Sequence, residues 1–468
     1  MIAHPAAKPW ILVLLVMIAG LWPLLVFGQP GYIPDSSSYY RGGEAAWERL
    51  AHLVTITPAQ DEAVGGGVAV PADPAKQAVG VRSLTYSAFA FVLAAPGTSL
   101  LLLVVAQTIV AATLLWLLLR ATGATGWRYI FAVPLVLGLA SSFPVFGTLA
   151  TPDLWTGLLF VCLLLLGLFQ KGLNWPERLY VGSLLAFAVA SHASHILIAA
   201  CALGMIALLA PARRSAPASF LKNTSLMAPA AGLAAGLLLS FLSGLVAFGE
   251  ASAVPKRYPY ALARAVEDGP AKWYLEENCP TLRYAVCEIF PDGIPGGVGD
   301  FLWAEGGIAQ RASPEQMERI RAEEPEILRQ AVAAYPWYQV QASARNVFQQ
   351  LIKITVSPVI FQKHVMDAQG YLQRRSEQRS AARWHEYAQG VVIALSLLIL
   401  AGAFGKASPV MRTASAATIG LIMLNLIICA ILSAPEVRYL SRTLWLLPVF
   451  AALMLKQSRN GKETTRLQ

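Results

Sequence analysis

At 468 residues, 56% hydrophobic and only 13% charged, with a mean hydropathy of +0.54, the chain is too apolar for an ordinary soluble protein and reads as a polytopic membrane protein. A net charge of +9 would suit nucleic acid, but most of the lysines and arginines fall between apolar runs, where a membrane protein keeps its cytoplasmic cations. Nucleic acid is therefore set aside as a partner.

The first apolar run, residues 9–28, is long enough to cross a hydrocarbon core of roughly 30 Å at about 1.5 Å per residue. It passes into PGYIPDS without a small-x-small cleavage site, so it reads as an uncleaved anchor. Asp35 then lies just outside the membrane, at the mouth of a span. Pro34, Asp35 and the serines after it make a helix start, with Tyr39 one turn further on. Two readings of Asp35 stay open, a helix cap and a reactive carboxylate. Residues 51–81 are polar and rich in glycine and proline, an exposed loop. No lysine follows Gly65, Gly66 and Gly67 at the spacing of a phosphate loop. Residues 81–95, headed by Arg82, are apolar but too short to cross, and are expected to lie along the outer surface or dip into it, completing a first outer loop over 29–97.

Further spans are expected at residues 98–119, 129–149, 153–169, 179–191, 196–210 and 226–248. The loops between them alternate between cationic (Arg120 and Arg128; Lys171 and Arg178; Arg213, Arg214 and Lys222) and uncharged. The positive-inside rule turns this into an orientation: the N-terminus is cytoplasmic, and Asp35, Asp153, His192 and His195 face outward. Residues 250–388 have ordinary soluble composition and are expected to form a mainly helical extracytoplasmic domain. Within it, Ser313 and Pro314 cap a helix over 314–334. Residues 335–358 read either as an interfacial amphipathic helix leading back to the membrane or as an ordinary helix of that domain. Cys279 and Cys287 are the cysteines outside the apolar runs, and in an oxidising space a disulfide between them is chemically allowed. Cys162, Cys201 and Cys429 read as small hydrophobes. Spans at 391–405, 414–432 and 440–455 close the chain. The expected fold is an all-α polytopic protein of about ten spans with both termini cytoplasmic, organised as a membrane module 1–249, an outer domain 250–388 and a membrane module 389–468. No inverted repeat of the transporter kind is visible.

Ionisable residues collect on the outer side in four places: Asp35 with Arg41, Asp153 in Thr151-Pro152-Asp153, His192 and His195, and Arg438 and Arg442 in Glu436-Val437-Arg438-Tyr439-Leu440-Ser441-Arg442. Each has a plainer reading: a cap for Asp153, polar span ends for the histidines, snorkelling to headgroups for the arginines. Two histidines alone are too few for a zinc site.

Taken together, the PDSSSYY loop after a first span, the short apolar segment opened by Arg82, the TPDLW loop and the late RYLSR resemble the GT-C class of membrane glycosyltransferases, which includes the protein mannosyltransferases and bacterial aminoarabinose and lipopolysaccharide-core sugar transferases. The likeness covers roughly residues 9–210 and 434–455 and rests on short motifs. It implies a catalytic carboxylate at Asp35, a polyprenyl-phosphate sugar as donor, and a glycan, lipid or protein as acceptor. Asp35 is followed by Ser36, where the protein mannosyltransferases carry a second acid, which argues against a protein acceptor and against a metal held by paired acids. No cofactor is identified, and a divalent cation stays open. On this reading Asp35 takes the acceptor proton, with Asp153 the second candidate acid. Arg82, Arg438 and Arg442 support the departing phosphate, and Tyr39, His192 and His195 complete the substrate site. The rivals are a transporter or flippase for a lipid-linked glycan, disfavoured by nearly charge-free mid-span positions, and a non-catalytic envelope assembly protein.

Overall fold

Proline opens the first helices of the chain, at positions where the missing amide would have had no partner. The computed structural model describes residues 8–33, 35–36, 38–40, 42–44, 46–47, 83–94, 99–208, 225–248, 250–253, 257–356, 360–366, 372–380 and 383–466. Helix α1, Pro9–Leu21, starts on its proline. Pro23 restarts the chain as α2, Pro23–Phe27, and Gly28 ends it in a left-handed conformation at φ 76°. There follow α3, Leu84–Ala94, and α4, Leu101–Ala121. Then come α5, Trp127–Ala140; α6, Phe143–Thr148; α7, Asp153–Gly167; α8, Trp175–Ser191; α9, Ala193–Leu208; and α10, Met227–Phe248.

Among the described residues, six helical stretches are long and apolar enough to cross a bilayer: Pro9–Phe27, Leu101–Ala121, Met227–Val246, Trp384–Phe404, Pro409–Leu432 and Val437–Ser458. The protein is thus multi-pass and mainly helical, but the expected ten spans reduce to six that meet this measure. The span expected over 129–149 is two helices, because Ser141 is extended (φ −141°, ψ 169°) and Pro144, in the first turn of α6, has no amide to continue the ladder; the Ser141 hydroxyl accepts from the Phe143 amide across the break (3.2 Å). Helices α7, α8 and α9 hold 15, 17 and 16 residues, or about 22–26 Å of rise. Every residue of α7 from Asp153 to Leu166 is buried, so this helix, apolar nearly all round, is enclosed by its neighbours.

Cationic loop residues gather at one end of this bundle. The Arg120 guanidinium grips Glu177 through both Nη atoms, at 2.6 and 2.5 Å, while Asn174 and Glu177 form a reciprocal cap on α8. Lys456 donates to the Thr122 carbonyl at 2.7 Å. That arrangement agrees with the alternation of loop charge in the sequence.

The chain divides into two compact units, a membrane unit of Met1–Pro255, Ile354–Leu424 and Leu440–Gln468, and a polar unit of Lys256–Lys353 and Asn425–Tyr439. The polar unit is built from α11, Tyr260–Asp268; α12, Pro270–Asn278; α13, Ala285–Ile289; α14, Val298–Leu302; α15, Ile308–Arg311; α16, Pro314–Ala334; and α17, Pro336–Ile352. Its core gathers Leu262, Val266, Phe301, Ile320 and Ile327. Ser313 and Gln316 form the expected reciprocal cap on α16. The buried Glu324 on α16 accepts from the Leu262 amide at 3.0 Å and pairs with Arg257. Residues 354–388, read from sequence as part of the outer domain, group with the membrane unit, and they are not all helical: β1, Ile360–Met366, pairs antiparallel with β2, Leu372–Ser380. The chain then runs through α18, Arg383–Phe404; α19, Pro409–Leu432; α20, Val437–Leu444; and α21, Leu446–Arg466.

Cys279 and Cys287 form a disulfide across a Cα–Cα distance of 5.5 Å. Replacing both with serine is expected to lower stability by about 2–3 kcal/mol, the loop-entropy scale for so short a closed loop. A thermal melt of the double variant that overlays the parent would show that the bridge contributes nothing.

Candidate functional site

Two loops of the membrane unit are stitched together by their backbones. Gly31 donates to the Thr148 carbonyl at 2.8 Å and accepts from the Ala150 amide at 3.0 Å, a parallel bridge between Gly31 and Leu149. Asp35 is four residues past one end of that bridge and Asp153 four past the other, so the two candidate acids leave neighbouring strands of chain.

The Asp153 carboxylate is 4% exposed. One oxygen accepts from Arg442 Nη1 at 3.0 Å and the other from the Thr151 hydroxyl at 2.7 Å. The capping reading of Asp153 is corrected accordingly: Pro152 occupies the cap position of α7, no side chain caps there, and the carboxylate is spent sideways on an ion pair. Snorkelling is likewise corrected for Arg442, which is 1% exposed. Desolvating both charges is expensive, and such a pair persists only where its geometry is held by the fold.

Several contacts hold it. The Ser142 hydroxyl, at the break between α5 and α6, donates to the Ser441 carbonyl, and Trp445 Nε1 donates to the Arg442 carbonyl at 3.0 Å. The Trp445 indole in turn lies against Gly157, where an added Cβ would stand 2.6 Å from the ring. Gly157→Ala is therefore expected to push a rigid, buried ring aside and lower the stability of the solubilised protein by about 1–3 kcal/mol. An unchanged melting temperature would show that the contact is slack.

His195 is fully buried one layer further in. Its Nδ1 lies 2.6 Å from the Ala188 carbonyl, which only a protonated nitrogen can meet, so in the neutral ring Nε2 accepts from the Thr156 hydroxyl at 2.7 Å. The ring is within electrostatic reach of both Arg442 and Asp153. His192, half-buried, has its Nδ1 2.8 Å from the Ser194 hydroxyl, and the two rings are 5.3 Å apart. Both His195 nitrogens are engaged within the protein, so of the two histidines expected at a substrate site His195 is held in place by Ala188 and Thr156 and His192 is the more exposed. Among the described residues, no group of three or more His, Cys, Asp or Glu side chains is placed to hold a metal ion.

On the first loop, Asp35 and Ser36 are helical. The Ser36 hydroxyl accepts from the Ile33 amide at 3.2 Å, and the Asp35 residue is partly exposed. Tyr39 is buried and meets Tyr86 of α3 edge-on at 5.1 Å. Tyr86 lies within electrostatic reach of Tyr39 and Asp153 and so links the two loops. Aromatic contacts then run from Tyr86 to Phe89 and on to Trp155 and Phe187, wedging α3 into the bundle. Around this wedge the Thr85, Tyr86 and Ser87 hydroxyls and Trp155 Nε1 are buried without a hydrogen-bond partner among the described residues. Gln107 Oε1, His385 Nε2 and Ser415 Oγ are likewise buried and unmet elsewhere in the membrane unit, and buried polar groups of this kind are where water or a hydroxyl-bearing ligand is held. Sequence reasoning missed the four around the wedge. The available signal was the polar run Ser83, Thr85, Tyr86 and Ser87 in a segment otherwise apolar.

Of the arginines expected to meet phosphate, Arg82 lies outside the described residues, as does Arg41, the companion of Asp35. Arg438 is partly exposed with its guanidinium 5.2 Å over the Tyr439 ring, and Arg442 is committed to Asp153. Comparison with known proteins found no matching family model, no similar curated protein and no similar solved structure.

Proposed function

We propose that the protein is a membrane glycosyltransferase that moves a sugar from a polyprenyl-phosphate donor to an envelope glycan or lipid at the outer face of a bacterial cytoplasmic membrane, with both termini cytoplasmic. The observation that carries this reading is the backbone bridge that sets the Asp35 loop beside the Asp153–Arg442 pair. The unmet hydroxyls of α3 support it, since they offer hydrogen bonds to a polyol.

The roles divide by burial. Asp153, held by Arg442 and Thr151, is a positioning residue; Asp35, partly exposed, is the base. Asp35 takes the proton of the acceptor hydroxyl as that oxygen attacks the anomeric carbon. The bond from that carbon to the phosphate oxygen breaks, and its electron pair leaves with the polyprenyl phosphate, inverting the centre. Arg82, which the sequence reading puts at the head of the short apolar segment, is offered as the cation that meets the departing charge. Lipid extracts from cells with and without the protein test the class of reaction. Loss of the protein is expected to leave a polyprenyl-phosphate sugar accumulated and a glycan short of that sugar. Identical extracts would count against transfer.

A further inference from the structure

Helix α17 is amphipathic the wrong way round for a helix of a water-soluble domain. Three of its polar side chains face inward, while Gln341, Arg345 and Gln349 are exposed. Asn346, 1% exposed, donates to Asp268 at 2.9 Å; Gln350, fully buried, exchanges two bonds of 2.9 Å with the Glu436 backbone; and Gln339 reaches Asp268 at 3.4 Å. Its large apolar side chains face outward, with Trp337 65%, Val340 57%, Phe348 64% and Ile352 62% exposed. At about 100° per residue these four fall within about 60° of Trp337, and Asn346 falls on the opposite side. The four form two apolar patches on one side, Trp337 with Val340 and Phe348 with Ile352, with the exposed Gln341 and Ala344 between them, and large apolar side chains left bare in this way mark an interaction surface.

The composition says what covers it. Residues 336–353 contain no aspartate or glutamate, while Arg345 is exposed and Lys353 follows at the end. Its neighbour α16 carries Glu315, Glu318, Glu323, Glu324 and Glu326. Trp337 and Tyr338 stand at one end of the stripe, the residue types that settle at a membrane surface. At the other end the chain passes at Lys353 directly into the membrane unit. An acid-free, aromatic-led face with the exposed Arg345 beside it matches a lipid headgroup layer rather than an acidic or a purely apolar protein face; Lys353 at the helix end is turned onto the Pro435 carbonyl. The geometry points to α17 as a membrane-surface helix that lays its Trp337–Phe348–Ile352 stripe into the lipid interface while its polar face binds the rest of the polar unit. This does not depend on the sugar-transfer reading.

The test is spin-label accessibility on the full chain in phosphatidylcholine–phosphatidylglycerol nanodiscs, with Cys162, Cys201 and Cys429 changed to serine and the Cys279–Cys287 bridge left closed. Labels at Phe348→Cys and Ile352→Cys are expected to collide several-fold more with oxygen than with a water-soluble nickel chelate, and a label at the exposed Glu326→Cys to show the reverse. Nickel accessibility at 348 and 352 equal to that at 326 would overturn the proposal, because the stripe would be in water. Protection from both reagents would also overturn it, because protein would cover the stripe, whether a second copy or another partner.

Discussion

Asp153→Ala is expected to lose most of the folded protein, through a destabilisation of about 3–5 kcal/mol, because it leaves the Arg442 guanidinium at 1% exposure without the carboxylate its Nη1 meets at 3.0 Å. Arg442→Ala is expected to do the mirror-image damage. The double variant Asp153→Leu/Arg442→Met, which removes both charges and keeps bulk, is expected to regain most of that stability, since two apolar side chains need no partner. Fluorescence-detected size exclusion and a thermal melt in detergent read all three. A monodisperse Asp153→Ala protein with an unshifted melt would mean that the pair is incidental to the fold. The same series separates structure from function, because the double variant should fold and yet transfer poorly if the pair fixes the loop beside Asp35.

The sequence carried a good part of this site, and the reasons for the shortfall are physical. Loop charge was legible because the positive-inside rule acts on residues near span ends, and Arg120, Glu177 and Lys456 do gather at one end of the bundle. Asp153, Arg442 and His195 were legible as candidates because ionisable groups in apolar surroundings are costly. Their pairing was not, for 289 residues separate the partners, and no local pattern encodes a contact at that range. Capping was the natural local explanation for Asp153 and lost to a tertiary ion pair. Span counting failed at 129–149 because hydropathy does not register a break made by an extended Ser141 and by Pro144 in the first turn that follows. The hairpin Ile360–Met366 with Leu372–Ser380 was missed for a similar reason, since its first strand is short and mixed and its second is highly charged, and neither has a clean alternation. Amphipathicity in 335–358 was visible, but not that the polar face would be the buried one.

Transfer itself rests on Asp35. Asparagine there keeps the size and the capping ability of the side chain but cannot accept a proton, so it separates the two readings left open by the sequence. The direct measurement is turnover of purified Asp35→Asn protein with a polyprenyl-phosphate sugar, alongside its abundance and melt. The account predicts normal insertion and stability with turnover down roughly 100-fold or more, the scale for losing a general base. Full transfer activity in that protein would contradict it and leave Asp35 a structural residue of the first turn of its helix.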